Sequence, residues 1–401
     1  MNAKQSLAFA AVSQKKNILL TGPAGTGKSY TVNKIVGWAQ AQGIEGGVTA
    51  STGLAAFLVG GRTVHSFLGI GIGSKPAEFM AQQIRFKNKT VYNKLRRLAL
   101  LVIDEASMID KDLLEYISTY LSLVRGVDEP FGGLQIILSG DFCQLPPVQG
   151  KFCFLADIWE TAEFSVHELT ELVRQDDDIE FQEILKSLRW GDCTKAVFNK
   201  LLALKQTVFP KGILPTRLFP LNTNVDYINQ GEYGKVKAKG AAVALYKSVI
   251  TCKRGQVVPK NAPGDIELCV GAQVLVTANL SETIVNGTRG VVTAVTPTTV
   301  RIMLVSGEET EIAYVSIPFD DVSASFMPLK LAYALSIHKS QGMTLDAVEI
   351  DIGDDVFEYG QAYVAISRAR NMKSVRIVNI VRSAFKCHPA VKKFYTDLTI
   401  V

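Results

Sequence analysis

Gly22–Ser29 reads GPAGTGKS, and this stretch decides the fold. It fits G-x-x-x-x-G-K-[ST], follows an apolar run at Asn17–Leu20 and precedes a helix-compatible segment at Tyr30–Ala41. A strand, a glycine-rich turn and a helix in that order form a phosphate cradle. Gly22, Gly25 and Gly27 let backbone N–H groups crowd around phosphates without Cβ clashes, with Pro23, Ala24 and Thr26 completing the turn. The N-terminus of the following helix adds partial positive charge. Lys28 can then reach the terminal phosphates, and the Ser29 hydroxyl can ligate Mg²⁺. The predicted ligand is a nucleoside triphosphate.

Working outward, Gly46–Ala50 reads as a second strand, followed by STGLAA (Ser51–Ala56) and TVHSFLGIG (Thr63–Gly71). Small hydroxyl residues, a histidine and glycines at strand ends suit a sugar–phosphate backbone, and they equally suit helix capping. Leu98–Ile103 is a continuous apolar run, as in a buried parallel strand, and it delivers Asp104 and Glu105 at its carboxyl end. Asp104 can hold Mg²⁺, and Glu105 can orient and deprotonate an attacking water. The next strand, Leu134–Leu138, leads into SGDFCQLPPV, where the Gln144 amide can reach a γ-phosphate or the water without carrying charge. Strands alternating with helices across residues 17–170 predict a doubly wound parallel sheet.

No acidic residue lies between Glu78 and Asp104, while Arg85, Lys87, Lys89, Lys94, Arg96 and Arg97 do, with Phe86 and Tyr92 interleaved. That basic stretch can ride on phosphates or form a solvated helix face. Net charge, 43 − 38 = +5, is compatible with a nucleic-acid partner without demanding one. A hydrophobic content of 47% supports a sizeable core, and 401 residues suggest two or three domains. No apolar run approaches the ~20 residues of a membrane helix. The N-terminus lacks the apolar core of a secretion signal and the arginines of a transit peptide. Six cysteines without C-x-x-C spacing read as free thiols, and Cys387 and His388 carry no pattern. A soluble intracellular protein is expected, in a bacterium or an infected cell, or in a eukaryotic nucleus or mitochondrion.

Past Gln175 there is no second phosphate loop, yet strand signals continue at Arg217–Leu221, Leu331–Leu335 and Val375–Ile380. Residues 265–327 consist of short β-branched runs separated by Asn286-Gly287 and Ser306-Gly307 turns, the pattern of a small β-barrel. His338, Lys339, Ser340 and Gln341 follow an apolar strand on a turn with Gly342.

The motifs GPAGTGKS, ASTGLAA, TVHSFLGIG, VIDEASM, PFGGLQIILSGDFCQLPPV, ELVRQ, NGTRGVV, LAYALSIHKSQGMTLD and GQAYVAISRARN occur in that order. Together they resemble the helicases of the petite-integration-frequency (Pif-one) family, in the B branch of superfamily one. The resemblance implies an α/β fold of two RecA-like doubly wound domains, residues 1–172 and 173–401. Small insertions are expected at about 69–97 and at 265–327, the latter a small β-barrel that shapes the duplex side or merely fills space.

It further implies a monomeric motor driven by ATP and Mg²⁺, moving 5′→3′ on single-stranded DNA and opening duplex junctions. A translocase that parts no duplex, an RNA motor, or a binding module with a structural ATP site are the alternatives. Carried over by position, Gln5 resembles an adenine contact and Gly342 joins the ATP-binding set. Arg174 and Arg368 resemble arginines that reach the γ-phosphate from a cleft between the domains. Thr52, His65, Ser66, His338, Lys339 and Ser340 resemble contacts to single-stranded DNA. The chain departs from the family pattern at Ala106 and Cys143, where Ile and Phe are expected.

Overall fold

The computed structural model describes all residues except 53–54, 57–58, 72, 74, 175–177, 210–214, 252–262, 279, 282–283, 285–286, 305, 320–321 and 399–401. Asn286, Gln175, Cys252 and part of STGLAA therefore lie outside the described residues. The chain divides into two units. One comprises Met1–Asp176, Glu358–Gly360 and Cys387–Val401; the other comprises Asp177–Phe357 and Gln361–Lys386.

In the first unit, six strands form one sheet: β1 (Ile18–Thr21), β2 (Gly46–Ala50), β3 (Arg62–Thr63), β4 (Leu100–Asp104), β5 (Gln135–Ser139) and β6 (Ser165–Glu168). Their order is β3-β2-β4-β5-β1-β6, and every pairing is parallel. The central strands β1 and β4 are buried along their whole length, which is why they read as unbroken apolar runs rather than alternating ones. The helix Lys28–Ala41 buries Thr31, Val32, Ile35 and Ala39, spaced so that one face meets the sheet. Val32, Ile35 and Ala39 join Ile18, Leu20, Leu100, Val102 and Ile137 in one core, together with Ala8, Ala11 and Val12 of the helix Ala3–Ser13. Fully burying each large aliphatic of this set contributes roughly 1.5–3 kcal/mol.

Helix ends follow the side chains that cap them. Asn2 accepts from Gln5 N at 2.9 Å while Asn2 N donates to Gln5 Oε1 at 3.0 Å, a reciprocal capping box. Asp110 accepts from Leu113 N at 2.7 Å to start the helix Lys111–Arg125, and Gly126 ends it in the left-handed region. The basic stretch forms two helices, Ala77–Lys87 and Lys89–Arg97. Arg125 receives the last carbonyls of the second, donating from Nη1 to Leu95 O at 2.9 Å and Leu98 O at 2.7 Å. Its Nε donates to Gly132 O at 2.7 Å, so one guanidinium fastens that helix to the PFGG turn.

The second unit carries β7 (Thr216–Phe219), β8 (Val243–Tyr246), β9 (Val249–Thr251), β10 (Ile266–Cys269), β11 (Gln273–Val276), β12 (Arg289–Val295) and β13 (Thr299–Leu304). It continues with β14 (Glu309–Ala313), β15 (Val315–Phe319), β16 (Val322–Phe326), β17 (Leu329–Leu331), β18 (Ala334–Ser336), β19 (Val348–Ile352) and β20 (Val375–Ile380). Four of these form a second all-parallel sheet, β18-β7-β19-β20. The rest are antiparallel: a five-stranded sheet β14-β13-β12-β11-β17, a three-stranded sheet β15-β16-β9 and the pair β10-β8. Val274, Val292, Val300, Ile302, Ile312 and Leu329 of the five-stranded sheet share one core, which Leu268 and Cys269 of β10 and Tyr246 of β8 join.

The run Leu331–Leu335 divides between the two kinds of sheet. β17 pairs antiparallel with β11, and β18 pairs parallel with β7. Asn229 explains the change of partner: its Oδ1 accepts from Tyr333 N at 3.1 Å and Ala334 N at 2.9 Å. Those amides are satisfied off the ladder just where the chain changes sheets.

Candidate active site and nucleic-acid contacts

In the first sheet, β4, β5 and β1 are neighbours, so their carboxyl ends present Asp104, Ser139 and Thr21 side by side. That is the edge where parallel sheets place ligands. From β1 the chain enters the glycine turn, with Gly22 at φ +136°, Gly25 at +88° and Gly27 at +83°. A Cβ on Gly22 would sit 2.1 Å from Leu169 O, so no other residue fits there. Lys28 Nζ donates to Gly22 O at 2.8 Å and Pro23 O at 3.0 Å, which curls the loop around its ammonium. Thr26 Oγ1 donates to Pro23 O at 2.9 Å and stiffens the same curl. Ser29 follows at the exposed start of the helix.

Asp104 is buried, and burial pushes its carboxyl above the usual range. Ser139, the Glu105 N–H and the Lys28 charge act in the opposite sense, in that order. Glu105 itself adopts φ +52°, a left-handed conformation unusual for glutamate and costing about 1–3 kcal/mol. It turns the chain abruptly out of β4. Gly140 permits a close approach here, since a Cβ on it would lie 2.8 Å from Ala106 N. Gln144 is 5% exposed, and its Oε1 is buried without a hydrogen-bond partner. A buried acceptor left unsatisfied at this edge suits a donor such as a water molecule. Asp141, fully buried, shapes the loop that carries it: Asp141 O accepts from Gln144 N at 2.9 Å and Asp141 Oδ1 from Cys143 N at 3.2 Å.

Gln5 lies beside the phosphate loop, and its amide already has work. Besides the capping box, Nε2 donates to Thr26 O at 3.5 Å and would meet a Cβ on Gly27 at 2.8 Å. Arg174 is tied to the same loop through its backbone: Gly25 O accepts from Arg174 N at 3.2 Å and from Val173 N at 2.8 Å. Arg368 belongs to the second unit and is 1% exposed. Its guanidinium donates to Val364 O at 2.9 Å, Met343 O at 3.3 Å, Ser340 O at 3.4 Å and Ser367 Oγ at 2.8 Å. Gly342, at φ +80°, completes the turn that surrounds it.

Of the expected strand contacts, Thr52, His65 and Ser66 lie at the ends of paired strands, since Ala50 of β2 registers with Thr63 of β3. Thr52 Oγ1 accepts from Ala55 N at 3.2 Å, and Thr63 Oγ1 accepts from Ser66 N at 3.3 Å, so the Thr52 hydroxyl and its neighbour Thr63 do cap turns. Ser66 Oγ, by contrast, is buried without a hydrogen-bond partner. Burial lowers the affinity of His65 for a proton, with Asp110 opposing, which favours the neutral ring. In the second unit, His338, Lys339 and Ser340 form a 3₁₀ turn just past β18. His338 stacks on Phe357 with ring centroids 5.9 Å apart, Lys339 is exposed, and Ser340 Oγ donates to Ile337 O at 2.8 Å.

Two residues of this site carry no sequence signal. Thr21 and Tyr395, 374 positions apart, have their hydroxyls 2.6 Å from each other. Among the described residues no three His, Cys, Asp or Glu side chains gather into a metal-holding group. No described helix is long and apolar enough to cross a membrane.

Residues 1–197 match the family profile of the PIF1-like helicases. The ATP-dependent DNA helicase PIF1 of Xenopus laevis is 38% identical over 421 residues, aligned with 99% of this chain; the chain spans 64% of that relative's length. The ATP-dependent DNA helicase Pif1 of Bdellovibrio bacteriovorus is 32% identical over 411 residues, covering 98% of this chain and 91% of its own. The crystal structure of Pif1 helicase from Candida albicans superposes with a TM-score of 0.84 at 32% identity, covering 100% of this chain and 99% of that one. With a two-parallel-sheet fold, a complete phosphate loop and relatives matched nearly end to end, the chain belongs to the PIF1-like helicase family.

Proposed function

We propose that the chain is an ATP-dependent DNA helicase that moves 5′→3′ along single-stranded DNA and opens duplex junctions as a monomer. The observation that carries this reading is the convergence at one sheet edge of the Lys28 ammonium, the buried Asp104 carboxyl and the buried Gln144 Oε1, which has no hydrogen-bond partner. A module that merely holds nucleotide needs the cradle; it has no use for Glu105 and Gln144 beside it.

Gly22–Ser29 would cradle the phosphates of ATP, and Lys28 would exchange its two loop carbonyls for phosphate oxygens. Ser29 and Asp104 would hold Mg²⁺, which supplies charge neutralisation at the phosphates when bound. Asp104 fits that role, because a carboxyl raised by burial returns to its ionised form beside a divalent cation. Glu105 would take the proton of the attacking water, and Gln144 would orient that water or the γ-phosphate. Arg174 and Arg368 would neutralise charge on the transferring phosphoryl group. For Arg368 this requires release from four internal oxygen acceptors, a conformational step that could gate hydrolysis. Thr52, His65, Ser66, His338, Lys339 and Ser340 would follow the DNA backbone.

One experiment tests the reading: ATP turnover with and without single-stranded DNA, then displacement of a strand from 5′-tailed and 3′-tailed duplexes. DNA-stimulated turnover with displacement of the 5′-tailed substrate alone is the expected result. Turnover that ignores DNA overturns the motor. Stimulation without displacement leaves a translocase, and stimulation by RNA alone an RNA motor.

A further inference from the structure

We infer that Tyr395, on the helix Pro389–Asp397, is a positioning residue for hydrolysis, its hydroxyl coupling the phosphate-loop strand to the Gln144 loop. The inference rests on the reading that Gly22–Ser29 and Gln144 act on ATP. Residues Cys387–Val401 belong to the first unit although more than two hundred residues separate them from its main body. What brings them there is aromatic packing. Phe394 stacks on Phe154 at 4.2 Å and meets Phe142 at 5.4 Å and Trp159 at 5.7 Å, both edge-on.

Tyr395, next along that helix, is 9% exposed and sends its hydroxyl to two partners. Thr21 Oγ1 lies at 2.6 Å, and Phe142 N donates to the phenol oxygen at 3.4 Å. Thr21 immediately precedes Gly22, and Phe142 lies two residues before Gln144. One side chain thus spans the last residue of β1 and the loop that follows β5, setting the spacing between the phosphate cradle and the amide that must meet its terminal phosphate. Two independent contacts press on the same loop. Cys387 Sγ lies 4.0 Å from Cys143 Sγ, and a Cβ on Gly360 would stand 2.5 Å from the carbonyl oxygens of both Cys143 and Gln144. The loop carrying Gln144 is therefore met at three points by two segments distant in sequence. A misplacement of about 1 Å in such a group costs on the order of 10²-fold in rate.

The test is steady-state ATP hydrolysis by the full chain, with single-stranded DNA at saturation, for the wild type, Tyr395→Phe, Thr21→Val and the double variant. Expected is a fall in kcat of roughly 5- to 50-fold for Tyr395→Phe, with KM for ATP within about 2-fold of wild type. The double variant should be no slower than the worse single one, because both remove the same bridge. Phe394→Leu serves as the packing control. It should lower Tm by a few degrees while kcat per folded molecule stays near wild type. A Tyr395→Phe kcat within about 2-fold of wild type overturns the inference, as do multiplicative losses in the double variant. So does a Phe394→Leu variant as slow as Tyr395→Phe. A wild-type chain that hydrolyses no ATP would instead overturn the underlying reading of the site.

Discussion

The two parallel sheets offer a natural comparison, because each has a strand that leaves its carboxyl end into a turn and a helix. In the first unit β1, flanked by β5 and β6, passes through residues 22–27 into the helix Lys28–Ala41. In the second, β7, flanked by β18 and β19, passes through residues 220–222 into the helix Thr223–Lys237. Strand, neighbours and helix correspond, but the turns do not. The first has six residues and three left-handed glycines; the second has three and contains no glycine. Pro220 donates no amide, and its carbonyl is occupied by Gln361 Nε2 at 3.1 Å. The sheet needs only an apolar strand and an amphipathic helix, whereas the phosphate cradle is a separate property of loop length and backbone dihedrals. Repeating the architecture did not repeat the site.

That contrast can be broken or sharpened by substitution. The largest effect is expected for Lys28→Ala, which should reduce ATP turnover by ~10³-fold or more while leaving affinity for a single strand, measured by fluorescence anisotropy, nearly unchanged. Equal losses of both would argue against separate sites for ATP and the strand. Gly22→Ala comes next. With φ +136° and Leu169 O only 2.1 Å from the new Cβ, it should cost roughly 2–4 kcal/mol, read as a shifted urea midpoint.

A lysine in the second unit gives a smaller, pH-dependent effect. Lys330 of β17 lies partly buried, and burial together with Lys339 draws its amine down to about 8. A folded-state value below the unfolded one means the folded chain binds fewer protons between the two. Stability should therefore rise from about pH 8 toward the unfolded lysine range and be lost as pH falls through 8. Lys330→Met should flatten that slope and add roughly 1–2 kcal/mol at pH 7, discounted for partial solvent access. Smallest of all, Pro220→Ala should change stability by less than about 1 kcal/mol and leave turnover unaltered. A large loss there would mean that the second turn has a task of its own.

Much of this was legible beforehand, for definite reasons. The phosphate loop declares itself because Gly22, Gly25 and Gly27 are dictated by backbone geometry, and strands such as Leu100–Asp104 because burial on both faces leaves an apolar run. Val375–Ile380 is a strand, as expected, at the edge of the second parallel sheet. What escaped depends on partners far away in the chain. Nothing local marks Leu331–Leu335 as two strands, since the division is made by Asn229. Nor does an arginine in AISRAR announce that its guanidinium is buried among carbonyl oxygens. Cys387 and His388 carry no local pattern, yet Cys387 Sγ meets Cys143 Sγ across the fold. His388 caps the last helix, its Nδ1 accepting from Ala390 N at 3.1 Å. The Thr21–Tyr395 pair is the extreme case: two ordinary residues whose meaning exists only once the fold has closed.

The route of the chain has a consequence for biogenesis. Because Phe394 and Tyr395 complete the unit that residue 1 begins, that unit cannot finish on the ribosome when its own first stretch has emerged. At a synthesis rate of about 5–20 residues per second, the intervening segment delays completion by roughly ten to forty seconds. During that interval Phe142, Phe154 and Trp159 lack the ring of Phe394 that they pack against in the folded unit.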